Sequence, residues 1–407
     1  MLFRSGFHKM RFSLPYIPHW KRNLYLVSLG VFIAQIGFST VTPFLSTFIK
    51  ELGLNTNISL WSGLIFSINS LTLGIMSPIW GSISDRYGKK PMMARAGIGM
   101  GITYIFMSRA QNHLQLFALR GINGLMSGYT PAAITLIAAN SRPENLNYSM
   151  GIIQAASATG TIMGPLVGGI SANLIGIRGS MVFTAILLFI AALLPYAAHI
   201  DEEVTSKPRT SILKDMSIAF QNRQLVILLG VWLLIQAALQ TVFPTLALFI
   251  GELEPENAEL YTGIVLSVMG ISTALGAPIV SRLRLHTNII FKWSILLCAV
   301  FTALQGFSTT VFMLGFVRFL FGFVNSSVTV SGNILIAQSS DQSNQGSTFG
   351  ILNGVMAIGL VLGPILGGFL GDHYGLSAPF IAGAAIFLLA CILSSFIMDP
   401  EETEEKL

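Results

Sequence analysis

The chain has 407 residues, of which 53% are hydrophobic and only 10% are charged, with 40 glycines and a mean hydropathy of +0.70. This composition excludes an ordinary soluble domain, and it indicates a protein that crosses a membrane many times. The net charge of +5 follows from basic residues between the predicted spans and does not indicate nucleic-acid binding.

A membrane span needs about 20 consecutive, mostly apolar residues. Twelve segments meet this requirement, so the sequence predicts an all-α membrane protein with twelve transmembrane helices. The predicted spans are residues 24–48, 59–81, 91–109, 113–137, 147–172, 177–199, 224–250, 259–281, 289–308, 311–336, 347–370 and 376–398.

The positions of the basic residues predict the orientation of the spans. Most of the 23 Lys and Arg lie in segments that share one side of the membrane, and only Lys50, Arg109 and Arg178 lie in segments on the other side. The positive-inside rule therefore places both termini in the cytoplasm. Residues 1–22 are predicted to be a basic cytoplasmic segment and residues 399–407 a cytoplasmic tail, in a multi-pass protein of the cell membrane.

An internal repeat divides the chain into two halves. Leu-Trp-Ser-Gly at residues 60–63 returns as Leu-Tyr-Thr-Gly at residues 260–263. Repeats of this kind predict two homologous bundles of six helices each. The bundles are predicted at residues 23–200 and 223–398, joined by a charged cytoplasmic linker at residues 201–222.

A polar loop, Gly81-Ser-Ile-Ser-Asp-Arg-Tyr-Gly-Lys-Lys90, follows the second predicted span. It resembles the signature loop of the major facilitator superfamily, G-x-L-x-D-R-x-G-R-K, with Ile for Leu and Lys for Arg at two positions. Asp85 could accept hydrogen bonds from the positive amino-terminal end of a helix in the other half. The alternative is a basic turn that only stops the transfer of the chain across the membrane during insertion. The resemblance favours a conformational latch made of Gly81, Asp85, Arg86, Gly88 and Lys89.

Two arginines, Arg120 in the fourth span and Arg318 in the tenth, are the only charged residues that we place inside spans. A charge there costs about 3 kcal/mol or more, so it normally faces a cavity or a partner. Contact with cargo, proton coupling and a structural Arg bonded to carbonyls are the alternatives. Arg120 followed by Gly124 resembles a motif of the drug-exporting branch of the superfamily, which favours a functional role for Arg120.

A glycine motif, G-x8-G-x3-G-P-x2-G-G, spans residues 151–169 and returns at residues 350–368. Glycines four residues apart form one stripe on a helix, against which another helix can pack closely, and the proline bends the helix. We expect two sliding helix contacts, and the motif resembles that of the antiporter branches in their fifth span. The packing residues are Gly160, Gly164, Pro165, Gly168, Gly359, Gly363, Pro364 and Gly367.

All 18 Asp and Glu fall in predicted loops or tails. Many drug exporters of the superfamily carry a membrane-buried carboxylate for protons and cationic drugs, so this departure favours neutral or anionic cargo. The polar candidates for cargo contact are Gln35 and its repeat mate Gln236, on the first and seventh spans, and Asn123.

The resemblance implies a secondary exporter that works by alternating access, with hydrophobic drugs as cargo and protons as the coupling ion. An exporter of an anionic metabolite such as a carboxylate siderophore is the alternative. An intramembrane enzyme would need a nucleophile with a base, or metal ligands, at depth, which the scattered Ser and Thr do not supply. We expect no catalysis, cofactor, metal or nucleic-acid partner, and a monomer whose partners are small-molecule cargo and the lipid bilayer.

Overall fold

The computed structural model describes residues 18–198, 200, 222–282, 286–339 and 345–397. Every regular element in these residues is helical, and the helices form twelve membrane spans. The spans are His19–Val41 with Leu45–Glu51 (span 1), Ile58–Tyr87 (span 2), Lys89–Ser108 (span 3), His113–Met126 with Tyr129–Asn140 (span 4), Pro143–Ala197 (spans 5 and 6), Arg223–Thr241 with Leu246–Leu253 (span 7), Ala258–Val280 (span 8), Thr287–Gly306 (span 9), Val311–Gln338 (span 10), Gln345–Tyr374 (span 11) and Ala378–Ser394 (span 12).

By length and composition alone, eight helices among the described residues could cross a membrane. One of them has 55 residues and holds spans 5 and 6, because Gly176 (φ 73°) interrupts its helical path. Span 12 is an apolar helix of 17 residues. Span 3 begins with basic residues, and span 4 is divided at Gly128 (φ 117°). The predicted all-α fold with twelve transmembrane helices is confirmed.

The first span of each half is broken at a proline near its far end. Pro43 lies in a 3-10 turn, Thr42–Phe44, between the two helices of span 1. Pro244 lies between the two helices of span 7. Proline has no N–H to donate and its ring clashes with the preceding turn, so a regular helix does not continue through it. The matching breaks reflect the repeat between the halves.

Each half has its own hydrophobic core. The halves meet along two pairs of helices, span 2 with span 11 and span 5 with span 8. We call the end of the molecule that holds residues 52–57, 254–257 and 375–377 the outer end, and the opposite end the inner end. Most of the predicted amino-terminal segment, the predicted linker and the predicted tail lie outside the described residues.

Candidate functional site

The outer parts of spans 2 and 11 are in direct contact. The Ser67 hydroxyl donates a hydrogen bond of 2.6 Å to the backbone carbonyl of Val361. About one turn further out, Gly63 lies against the carbonyl of Pro364, where an added Cβ would collide with backbone. An approach this close requires a glycine.

Spans 5 and 8 repeat this contact with the two halves exchanged. The Ser267 hydroxyl donates to the carbonyl of Ile162 at 2.8 Å. Gly263 lies against the carbonyl of Pro165. The two halves therefore meet twice, in the same way, at the outer end.

The same helix faces are open towards the inner end. Gly74 follows Gly63 by about three helical turns and so lies on the same face of span 2, yet nothing lies within 4 Å of its Cβ position. Gly151 of span 5 and Gly350 and Gly354 of span 11 are equally open. The described contact faces are thus closed at the outer end and separated at the inner end.

Asp372, in the last turns of span 11, is hydrogen-bonded to the first turn of span 2. Its carboxylate accepts hydrogen bonds from the backbone N–H of Ser59 at 3.0 Å and of Leu60 at 2.8 Å. These donors belong to the first turn of a helix, where N–H groups lack helical partners and the helix dipole is positive. The predicted end of this span, residue 370, left Asp372 in a loop. The expectation that all acidic residues lie in loops or tails is therefore wrong.

Replacement of Asp372 by Asn is expected to loosen the outer contact, because hydrogen bonds to a charged acceptor are worth about 1.5–3 kcal/mol. A cysteine in place of Val361 should then react with an impermeant maleimide several times faster than the same cysteine in a protein that keeps Asp372. The two native cysteines, Cys298 and Cys391, are buried and should contribute little to the labelling. The control is Asn173→Ala, since Asn173 holds the matching place on span 5 and is exposed. If the cysteine at position 361 is labelled equally fast in the Asp372→Asn and Asn173→Ala variants, Asp372 does not hold the outer contact closed.

The glycine stripe of span 5 packs on span 1, within the same half. A Cβ on Gly160 would lie 2.6 Å from the carbonyl oxygen of Phe32, and one on Gly164 would lie 3.0 Å from that of Ile36. Gly168 meets the backbone of span 1 in the same way.

The second stripe, Gly359, Gly363 and Gly367, packs on span 7. The stripes therefore lie against helices of their own half. The contacts between halves use a neighbouring face, where the carbonyls of Pro165 and Pro364 meet glycines of the opposite half. The glycine stripes themselves therefore pack inside each half. Sliding between helices stays a prediction.

Arg120 lies inside the amino-terminal half and is 1% exposed. Its Nη1 donates to the Tyr104 hydroxyl at 3.3 Å, and the Asn69 amide donates to its backbone carbonyl at 3.1 Å. Asn123 donates to the Thr103 hydroxyl at 2.7 Å. These bonds tie spans 2, 3 and 4 together. The printed partner of the Arg120 guanidinium is thus a hydroxyl and not a carbonyl, and its Nε is buried without a partner. The roles of Arg120 and Asn123 stay predictions.

Arg318, the repeat mate of Arg120, lines a cavity of about 160 Å³ in the carboxy-terminal half. Arg318 as a whole is 7% exposed, and its Nη1 lies 3.4 Å from the Met269 sulfur. The structure thus brings together two of the predicted cargo residues, Arg318 and Gln236. The polar side chains that line the cavity are Gln236, Gln240, Thr302, Gln305 and Arg318.

The predicted latch lies at the inner end, where span 2 continues to Tyr87. Gly88 has φ 95°, a conformation that favours glycine, and its N–H caps the end of the helix before span 3 begins at Lys89. Arg86 is exposed. The side chain of Asp85 lies outside the described residues, so the latch stays a prediction.

Arg95 and Arg178 also lie inside spans, each close to a span end. Arg95 donates to the carbonyl of Ser127 at 2.9 Å and stacks on the Trp80 ring at 3.6 Å. Arg178 donates to two carbonyls at the end of span 3, the nearer being that of Ser108 at 2.7 Å. Carbonyls at helix ends favour cations. The prediction that only two charged residues lie in spans is wrong.

Comparison with known proteins agrees with this architecture. The family model of the Major Facilitator Superfamily matches residues 27–295 and 256–407. The multidrug resistance protein MdtG of Proteus mirabilis (strain HI4320) is 32% identical over 384 residues, which are 92% of this chain and 95% of that protein. MdtG of Yersinia enterocolitica serotype O:8 / biotype 1B is 30% identical over 391 residues, covering 94% of each chain.

Among solved structures, a bacterial homologue of the human lysosomal transporter Spinster, in an inward-facing and unoccupied conformation, superimposes with a TM-score of 0.81. The two sequences are 14% identical over 93% of this chain and 97% of the other, so the likeness concerns the fold. The family match and the two relatives go further, and they show that the chain is a multi-pass membrane protein that belongs to the Major Facilitator Superfamily.

Proposed function

We propose that this protein is a secondary exporter that moves drugs out of the cell by alternating access. The observation that carries the proposal is the pair of contact faces on spans 2 and 11 and on spans 5 and 8, closed at the outer end and separated at the inner end. Both termini are proposed to be cytoplasmic, so the open side faces the cytoplasm, where an exporter loads its cargo.

The relatives support drugs as the first cargo class, because both are named multidrug resistance proteins and align along almost the whole chain. In the outward-open state the inner faces would meet, and the predicted latch around Asp85 would hold them. The protein is proposed to act as a monomer, since the cargo path lies between the two halves of one chain.

Protons are the proposed coupling ion. Asp372 is a candidate for the residue that binds the coupled proton, because protonation would remove the negative charge that accepts hydrogen bonds from the first turn of span 2. Asp372 lines an outer pocket together with Lys50, Glu252 and Glu259.

A second candidate function is export of an anionic metabolite. It is favoured by the cavity around Arg318, whose polar lining holds a buried cation and amides without an acidic side chain.

Accumulation of two cargoes in cells tests both functions. Cells that make the protein should retain less ethidium, a cationic dye, than matched cells without it, and a protonophore should remove the difference. A fluorescent polycarboxylate measured in parallel reports the second function. Equal retention of both compounds with and without the protein would refute export of either class.

A further inference from the structure

A cavity of about 490 Å³ lies at the inner end of the amino-terminal half, where the ends of spans 1, 4 and 5 meet. Within the described residues its lining holds no acidic side chain. It holds an arginine, a histidine, amides and hydroxyls, all of which can donate hydrogen bonds. The polar side chains of the lining include His19, Asn23, Asn140, Arg142, Asn145 and Ser149. A lining with many donors and no acid favours an anion over a cation.

Ser149 supplies a polar group that the protein itself leaves unused. The residue is 1% exposed, it lines the cavity, and its Oγ has no hydrogen-bond partner in the described part of the chain. Buried hydroxyls normally have a partner. The cavity therefore offers a place where an oxygen of a ligand can accept the hydrogen bond that this hydroxyl donates.

Arg142 brings positive charge to the same cavity. It directly precedes span 5 and is exposed, so it lies on the open side of the cavity, whereas Ser149 lies on the buried side. The amino-terminal end of span 5 adds the positive end of a helix dipole. Glu144 is exposed and is not part of the lining. A guanidinium on one side and a hydroxyl on the other match the several oxygens of a phosphate group.

An aromatic cluster flanks the cavity on spans 1 and 5. The Trp20 ring lines the cavity and meets the Tyr148 ring edge-on, with the ring centroids 6.3 Å apart. The hydroxyls of Tyr25 and Tyr148 are hydrogen-bonded at 3.0 Å, and Lys21 Nζ lies 5.4 Å from the centroid of the Trp20 ring. Trp and Tyr at span ends are typical of the level of the lipid headgroups. The cluster therefore favours a membrane lipid as the source of the phosphate.

The carboxy-terminal half does not repeat these residues. Aligning the two glycine motifs pairs Arg142 with Asp341 and Tyr148 with Ser347. Asp341 lies outside the described residues, so this comparison concerns the sequence alone. Because both halves share one fold, the fold itself does not require an arginine and a tyrosine at these places. Their presence in one half favours a ligand that binds that half.

We propose that this cavity binds the phosphate group of an anionic membrane lipid from the leaflet at the inner end. The proposal goes beyond the export function, because the lipid is a resident ligand and not cargo. Its phosphate would lie between Arg142 and Ser149, while its acyl chains stay in the bilayer. Basic pockets between spans are a known way to bind anionic headgroups. A lipid held there would tie the inner ends of spans 1, 4 and 5 together.

Native mass spectrometry of the purified full-length protein, released from micelles that contain a defined lipid, tests the proposal. The first molecule of phosphatidylglycerol should bind at least tenfold more tightly than the first molecule of phosphatidylcholine, which has the same acyl chains and no net charge. Glycerol 3-phosphate and inorganic phosphate, each in hundredfold excess, should not displace the phosphatidylglycerol. Displacement by either would identify a soluble phosphate as the ligand and overturn the assignment to a lipid.

Two variants locate the bound lipid. Arg142→Gln should weaken binding of the first phosphatidylglycerol about tenfold, whereas Arg223→Gln, which removes an exposed arginine at the inner end of span 7, should leave it unchanged. Ser149→Ala should weaken this binding several-fold without lowering the melting temperature of the lipid-free protein, because the lost hydroxyl has no partner within the protein.

Three results would overturn the proposal. They are equal binding of the two lipids, an equal loss of binding in the Arg142 and Arg223 variants, and unchanged binding of phosphatidylglycerol in Ser149→Ala. Because lipid binding is measured without transport, a failure of ethidium export would show separately.

Discussion

Gly63→Leu is expected to abolish transport while both halves stay folded and inserted. In this structure Gly63 faces the backbone of Pro364, and backbone cannot move aside as a side chain can. A leucine there would keep spans 2 and 11 apart at the outer end, so the protein would remain open outwards. Transport should fall to the level of cells without the protein.

Cross-linking at the inner end tests the same variant in a second way. Continuing the antiparallel register of Ser67 with Val361 inwards by about two turns pairs Gly74 with Gly354, and both positions are open here. A cysteine pair at these two glycines should form a disulfide more readily when Gly63 is replaced, since Cα atoms must come within about 7 Å. Normal transport by Gly63→Leu, or unchanged cross-linking, would contradict the alternating closure.

Gly164→Leu is expected to remove most of the folded protein. An added Cβ at this position meets the Ser39 side chain and lies 3.0 Å from the carbonyl oxygen of Ile36. Overpacking a close contact costs about 1–3 kcal/mol, and a whole leucine against backbone should reach or exceed that range. The yield of monodisperse protein in size-exclusion chromatography and its melting temperature should both fall.

The matched control is Gly151→Leu, in the same span. Nothing lies within 4 Å of the Cβ position of Gly151, so its yield and melting temperature should stay close to those of the wild type. If both leucine variants fold equally well, the tight packing of span 5 on span 1 is not what holds this half together.

The fold was predictable because its main determinant, the length of apolar runs, is local in the sequence. The glycine stripes were also visible, since a spacing of four residues defines a helix face whatever surrounds it. Which helix meets that face is a tertiary property. The sequence could therefore identify Gly164 as a packing residue but not Ser39 as its neighbour.

The site was harder to predict. Asp372 was missed because hydropathy falls where the apolar run ends, although the helix continues to Tyr374 and its partners lie in the opposite half. Arg120 and Arg318 read alike in sequence, as two arginines at matching places. In the structure Arg120 is bonded to the Tyr104 hydroxyl, whereas Arg318 lines a cavity. This difference depends on how neighbouring helices pack and is not visible in the sequence.

The contact faces of spans 2 and 11 have a consequence for the electrical potential across the membrane. Because the same two helices form the contact at one end and diverge at the other, bringing the inner ends together tilts the outer ends apart. A path open at both ends at once would let ions flow down the membrane potential, which stores about 2.3 kcal/mol per charge for each 100 mV. With one tilt governing both openings, cargo can leave while the membrane stays electrically sealed.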